Sequence, residues 1–472
     1  MNNEKENFIL LTDSYKVGHH NMYPDGTENV YSYFESRSGA KYPYTVFFGL
    51  QMLLKRYFTG VVVTQSDVDA ADEFCKAHFG FDTFNRKMWQ KIVTVHGGKL
   101  PLRIKAAPEG LPIPIGNVMV TVEATDPDCG PLTNVIETIL THLWHSSNVA
   151  TISRDLKVYL AKAFEYSAET NGLLPFMLHD FGFRGVSSVE SAGLGGAGHL
   201  VNFMGTDTLI AITYAQRYYG AGMAGFSVMA SEHSVMTSLG ENGEVEMHRR
   251  LLRKYPNGIL SDVSDSYSIV RAMEMYGTVL KDEILARNGK FVVRPDSPRF
   301  KGDTASGQIV WIADELAKYF GFTRNAKGFK VLNPKVGIIY GDGLSVEEIK
   351  DAVSALLAAG YSAETCVYGM GGGLLQKHNR DTQRNAFKCS AQFRDGIWHD
   401  IQKKPLDMSK ASKTGRLKLV WHEGAHGKVL ITVSITDERP DVLETVFENG
   451  TIVKEWTWEE VRKNAETRLL GE

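Results

Sequence analysis

From about residue 173 the sequence repeats one plan: a short apolar run closes on Gly, Asp, Arg, Ser or His, and an amphipathic segment follows. The runs are LLPFMLHDFGFR, HLVNFMGTD, GMAGFSVMASEH, NGILSDVSDSY, KFVVRPDS, VGIIYGDGLS and TCVYGMGGG. Between most of them lie segments with helical periodicity, such as TLIAITYAQRYYG, YSIVRAMEMYG, GQIVWIADELAKYFG and SVEEIKDAVSALLAAG. Runs this short and this continuously apolar suit strands buried on both faces. Their alternation with helices predicts a parallel sheet joined by right-handed crossovers. Seven such strand ends, with room for an eighth, predict an α/β fold of the (β/α) barrel kind rather than an open sheet.

The flanks read differently. IVTVHGGKLPLRIKAAPEGLPIPIGNVMVTVEA (residues 92–124), RLKLVWHEGAHGKVLITVSI and VLETVFENGTIVKEW are strand-like pieces broken by Gly and Pro, the pattern of antiparallel strands. TWEEVRKNAETRLL opens a last helix, with Thr457 as N-cap and Glu460 as its capping-box partner. We expect residues 1–150 and 376–472 to form one mixed α+β domain around a catalytic barrel spanning 151–375. A length of 472 residues fits two such units.

Charge and cysteine content narrow the classes. A formal charge of −3, from 55 acidic and 52 basic residues, gives no global field for nucleic acid. Four scattered cysteines read as reduced thiols. No apolar run approaches membrane-spanning length, and MNNEKENFILLTDSYK lacks the regions of a secretion signal, so the expected location is the cytoplasm. Basic residues are concentrated in 376–418. That stretch is either a solvated face or a site for phosphates.

Barrels of this kind carry their chemistry at the C-terminal ends of the strands. Collected there are Asp180, Arg184, Asp207, His233, Asp262, Asp265, Arg294, Asp296 and Asp342. One or two such residues would pass as helix caps, and capping is the default for one of Asp262 and Asp265. The glycines of GMGGGLLQK place backbone N–H groups ahead of a helix, an anion cradle or a plain flexible turn. YGDGLS offers Asp342 to sugar hydroxyls. RPDS sets Arg294 beside Asp296, either as a structural pair or as a fork for phosphate. In HDFGFRG, Phe181 and Phe183 are either both core residues or, if one points over the cavity, a flat surface for a planar ligand with Arg184 at its edge. HEGAH (422–426) matches a zinc-protease pattern, but its glycine and β-branched flanks predict a hairpin, where the two histidines do not share a helix face.

Taken together, TDSYK, YSYFESR, HDFGFRGVSS, FMGTDT, SVMASEHS, SDSY, VVRPDS, GDG, GGGLLQK and RDTQRNAFKCS resemble the nicotinamide phosphoribosyltransferase family, within the type II phosphoribosyltransferases. The similarity runs in order from about residue 8 to the C-terminus. It implies conversion of nicotinamide and 5-phosphoribosyl 1-pyrophosphate to nicotinamide mononucleotide and pyrophosphate in NAD salvage. It also implies Mg2+, coupled ATP hydrolysis and a homodimer with shared sites. The implied roles are Phe181 and the partner subunit's Tyr15 on the two faces of the pyridine ring, and Asp207 on the carboxamide. Arg184 is implied near the amide and pyrophosphate. Arg294, Asp296, Gly341 and Asp342 are implied at the ribose and its substituents, and Gly371 and Gly372 at the 5′-phosphate. Arg37, Arg380, Lys388, Lys403 and Lys410 are implied at phosphate and pyrophosphate. His233 becomes the residue phosphorylated by ATP, oriented by Glu232 or a nearby aspartate, and Asp265 is counted with it among the catalytic residues.

The chain departs from the family pattern in four places. Ala386 stands where a serine often touches phosphate, Phe226 where tyrosine occurs and Met229 where proline occurs. The loop SGAKYPYT is also short. Two rival readings remain: a nicotinate phosphoribosyltransferase of the same architecture, and a non-catalytic nucleotide-binding barrel. Asp207 argues against the first, because a carboxylate facing nicotinate's own is repulsive. The retention of His233 and of the pyrophosphate set argues against the second.

Overall fold

The computed structural model describes residues 6–403, 406, 411–424 and 427–468. Lys410 and His426 lie outside them. Two compact units emerge, one of residues 1–151, 214–222 and 379–472, the other of 152–213 and 223–378.

The second unit carries the repeated plan. Its parallel sheet has seven strands: β1 (Leu178–Asp180), β2 (Gly205–Thr206), β3 (Met229–Ala230), β4 (Asn257–Val263), β5 (Asn288–Arg294), β6 (Val336–Tyr340) and β7 (Cys366–Met370). Their order is β2-β1-β7-β6-β5-β4-β3. A parallel bridge from Gly205 to Phe226 ties the β2 edge to the chain entering β3, which curls the sheet into a barrel. The β5–β4 and β5–β6 registers (Val293↔Asp262, Val293↔Ile338) bring the strand ends level. Leu260, Val263, Phe291, Val293, Ile338, Tyr340, Tyr368 and Met370 are all buried, which accounts for the unbroken apolar runs.

Helices Ile269–Gly277, Ala305–Phe320 and Val346–Ala358 follow β4, β5 and β6. Each has its own cap. Ser268, Thr304 and Ser345 accept the N–H groups of Arg271, Gly307 and Glu348. In the same way Ser188 caps Val189–Leu200 after β1. At Ser345 the box is reciprocal, with Glu348 accepting the Ser345 N–H at 2.8 Å. Such caps each contribute about 1 kcal/mol.

The first unit is built on a seven-stranded antiparallel sheet in the order Ile397–Asp400, Asn385–Arg394, Thr27–Ser36, Val118–Ala124, Leu102–Ala106, Glu444–Glu448, Thr451–Ile452. Its core includes Phe34, Phe47, Phe58, Trp89, Ile104, Val122 and Phe447, all nearly inaccessible. Thr457 and Glu460 make the capping box of helix Trp458–Ala465. The HEGAH segment enters a hairpin in which Leu417–Gly424 pairs with Gly427–Ser434. His422 is therefore on a strand, and the helical geometry a zinc protease needs does not form.

Candidate active site

The strand ends converge on a cavity of about 1320 Å³ in the barrel unit. Phe181, Arg184, Asp207, His233, Arg294, Asp296, Gly341, Asp342, Gly371 and Gly372 all line it. Because serine and threonine cap the helices that follow β1, β4, β5 and β6, these charged residues are not consumed as caps. The expectation that Asp262 or Asp265 caps the next helix fails for that reason: Ser268 occupies the cap.

Two of the nine strand-end groups serve the scaffold. Asp180 is fully buried, accepts the Gly182 N–H at 2.7 Å and the Thr206 hydroxyl at 3.3 Å, and burial raises its pKa. Asp262 is also fully buried and bonds inward to His248 and Ser231. Of the others, Arg184, Asp207, His233, Arg294, Asp296 and Asp342 line the cavity, and Asp265 lies behind His233.

Asp207 is held by two donors on one oxygen. His179 Nε2 lies 3.0 Å from Oδ1, and the Ser227 hydroxyl donates to the same atom. Burial alone would raise its pKa. The His179 hydrogen bond and charge, the Ser227 hydroxyl and the Arg294 charge outweigh it and hold the carboxyl below its ordinary value. The group is thus anionic at neutral pH, with Oδ2 left to accept from a ligand. Phe181 stands beside it, its ring 4.9 Å from that of His179. Gly369 and Gly341 make room for this ring: a Cβ at either would sit 2.0 Å or 2.7 Å from Phe181 Cε2. Phe183 is partly exposed on the same wall, so neither ring is a core residue.

His233 begins a single helical turn, His233–Met236, immediately after β3. Its Nε2 is 3.3 Å from Asp265 Oδ1 and its Nδ1 is 3.6 Å from Asp296 Oδ2. The Asp265 side chain is only 3 % exposed, while that of His233 is 45 % exposed. Asp265 is itself fixed, with Oδ2 accepting the Asp296 N–H at 3.0 Å and the Ser297 hydroxyl. Glu232 instead takes the Ser234 hydroxyl, so the carboxylates nearest the His233 ring are those of Asp265 and Asp296.

Arg294 brings a buried Nε with no hydrogen-bond partner among the described residues, a donor of the kind an anion would satisfy. Gly371 and Gly372 open the turn Gly372–Leu375, whose first N–H groups have no intrahelical acceptor. Asp342 has its pKa raised by burial and then by the negative charges of Asp296, Asp265 and Glu348.

The remaining candidates belong to the other unit. Tyr15 is exposed, and the adjoining Lys16 is buried in an ion pair with Glu137 at 2.6 Å. Lys388 sits on a strand, where burial lowers its pKa; the negative charge of Glu137 opposes this, and the positive charges of Arg37, Arg380 and Lys403 add to it. His179 and Ser227 were not singled out from the sequence. His179 lies inside the quoted HDFGFRG segment, on β1, but nothing local to the sequence shows that it meets Asp207 from another strand.

Comparison with known proteins supplies the deciding observation. Residues 176–451 match the nicotinate phosphoribosyltransferase (NAPRTase) family, and residues 7–104 match the nicotinamide phosphoribosyltransferase N-terminal domain. The chain belongs to the nicotinate phosphoribosyltransferase family. It is 43% identical to the nicotinamide phosphoribosyltransferase of Xanthomonas campestris pv. campestris, covering 98% of this chain and 99% of that one. It is 33% identical to the protein of the same name from Acinetobacter baylyi, covering 98% of each. Among solved structures it resembles nicotinate-nucleotide pyrophosphorylase from Pyrococcus furiosus, with a TM-score of 0.64 at 16% identity over 98% of this chain and 96% of that one. Human nicotinic acid phosphoribosyltransferase follows, with a TM-score of 0.54 at 14% identity over 97% and 93%. At these identities the two structures bear on the fold, which is that of the family's barrel enzymes.

Proposed function

We propose that the protein is a nicotinamide phosphoribosyltransferase, joining nicotinamide to 5-phosphoribosyl 1-pyrophosphate to give nicotinamide mononucleotide and pyrophosphate in NAD salvage. The observation that carries the choice of substrate is Asp207, an anionic acceptor beside an aromatic ring. A carboxamide N–H2 donates to it, whereas nicotinate's carboxylate is repelled. The names of the full-length relatives support the same reading.

Phe181 stacks on the pyridine ring and aims its nitrogen at the ribose C1. That nitrogen carries no proton, so no general base is needed. As the bond from C1 to pyrophosphate breaks, negative charge gathers on the leaving group, and Arg184 and Arg294 stabilise it. Gly371 and Gly372 take the 5′-phosphate, and Asp342 the ribose hydroxyls. Mg2+ would be held through the substrate's phosphates and water rather than by direct protein ligands, and would there neutralise pyrophosphate charge. His233, set by Asp265, accepts the phosphoryl group of ATP. A neutral imidazole is a competent nucleophile for this step.

Asp207→Asn tests the substrate choice. Loss of a charge-assisted hydrogen bond of roughly 1.5–3 kcal/mol should lower kcat/KM for nicotinamide by one to two powers of ten. Discrimination against nicotinate should relax at the same time. An unchanged ratio of the two kcat/KM values would remove Asp207 from the account.

The enzyme is expected to be a cytoplasmic homodimer in which Tyr15, Arg37, Arg380, Lys388 and Lys403 serve the partner's barrel. Tyr15→Ala and Phe181→Ala subunits, inactive alone, should then complement each other after exchange. Random mixing places both intact rings in one site of each hybrid, so about a quarter of wild-type activity returns. Proven exchange without recovery would mean that each site is complete within one chain.

A further inference from the structure

The chain enters the cavity wall from β3 and β4 at neighbouring points, delivering His233 from one and Asp265 from the other. The two strands pair only briefly, through Met229↔Leu260 and Ala230↔Ser261. Ladder pairing therefore ends just before the two residues that must face each other.

Side chains take over at that point. Ser231 keeps the backbone contact by donating its N–H to the Ser261 carbonyl at 3.0 Å. Its hydroxyl accepts the Val263 N–H at 2.8 Å and donates to Asp262 Oδ1 at 2.6 Å. Asp262 is fully buried, and its Oδ2 lies 2.6 Å from His248 Nδ1. His248 is 2 % exposed, on helix Glu244–Lys254, with the Tyr276 ring packed edge-on against it at 5.1 Å. One hydroxyl thus staples β3 to β4 two residues before His233 and two after Ser261. One carboxylate ties that staple to a rigid helix.

We propose that Ser231, Asp262 and His248 are positioning residues that hold His233 against Asp265. A buried pair of this kind is a weak source of stability, since apolar residues of similar volume would serve folding as well. Its fully satisfied bonds do fix one geometry, and a reacting imidazole needs fixing closely: a misplacement of about 1 Å costs on the order of a hundredfold in rate. Asp265, being tied to Asp296 and Ser297, cannot follow a drifting His233.

This rests on the reading of His233 as the residue phosphorylated by ATP, so the experiment includes a readout that needs no turnover. In the full-length enzyme, Ser231→Ala should speed carbethoxylation of His233 by diethyl pyrocarbonate at least threefold, followed by mass spectrometry. It should also lower kcat for nicotinamide mononucleotide formation with ATP about ten- to hundredfold, as displacement of a reacting group predicts. KM for nicotinamide should stay within about twofold, because Ser231, although it also lines the cavity, directs its hydrogen bonds to Ser261, Asp262 and Val263. Ser231→Thr, which keeps the hydroxyl, should restore most of both. Asp262→Asn should resemble Ser231→Ala. Folded Ser231→Ala enzyme with wild-type His233 reactivity and wild-type kcat would overturn the proposal, whatever its Tm. Altered His233 reactivity in an enzyme whose wild type captures no phosphate from ATP would uphold the positioning network and remove the phosphorylation reading instead.

Discussion

Arg294→Ala is expected to lower kcat/KM by two to three powers of ten, the loss of about 2.7–4 kcal/mol typical for a donor aimed at developing negative charge. Its stability should move little. The Nε of Arg294 is buried without a hydrogen-bond partner among the described residues. Removing it relieves an unsatisfied donor worth about 1–3 kcal/mol, and this offsets the lost packing of the aliphatic stem. The two measurements therefore separate, with a Tm near wild type and a collapsed rate. Arg294→Lys should recover only part of the rate, because an ammonium offers no planar fork to two phosphate oxygens. A rate loss matched by a fall in Tm would mark Arg294 as a structural partner of Asp296.

His233→Ala should abolish phosphoryl capture from ATP and the stimulation that follows, while some ATP-independent transfer persists. The geometry motivates this: an imidazole 45 % exposed to the cavity, with a nearly inaccessible carboxylate 3.3 Å from Nε2. Basal transfer should also fall, because the imidazole sits among the groups that meet pyrophosphate. Labelled phosphate from ATP, mapped as an acid-labile, base-stable adduct, reads the step directly. Label on another residue, or full ATP stimulation in folded His233→Ala enzyme, would refute the assignment. Asp265→Asn should weaken capture without removing it, since the ring stays but loses its charged partner.

Much of the barrel was legible because burial on both faces forces apolar runs, and because the polar residue that ends each run stands out against them. The helix caps were partly legible too. Thr457 and Glu460 were readable as a box, since the signal is local and three residues long. What the sequence did not separate was cavity residue from scaffold residue at the same strand end. Asp262 and Asp265 are three positions apart in one segment, yet one is buried against His248 and the other faces His233. Their fates depend on His248 and Ser231, which come from other elements. Asp180 and Asp207 differ for a similar reason: Gly182 and Thr206 satisfy the first, while the second keeps an oxygen for a ligand. Gly341 and Gly369 carry a role invisible to motif reading, since their missing side chains are what allow Phe181 to lie flat.

The central claim is that the cavity selects nicotinamide and transfers a phosphoribosyl group to it. Product analysis of the purified enzyme tests this most directly, with nicotinamide and nicotinate offered separately, each with 5-phosphoribosyl 1-pyrophosphate and Mg2+, with and without ATP. The account predicts nicotinamide mononucleotide and pyrophosphate in equal amounts from the first substrate, more with ATP, and far less product from the second. Preferential use of nicotinate, or no mononucleotide from either base, would contradict it.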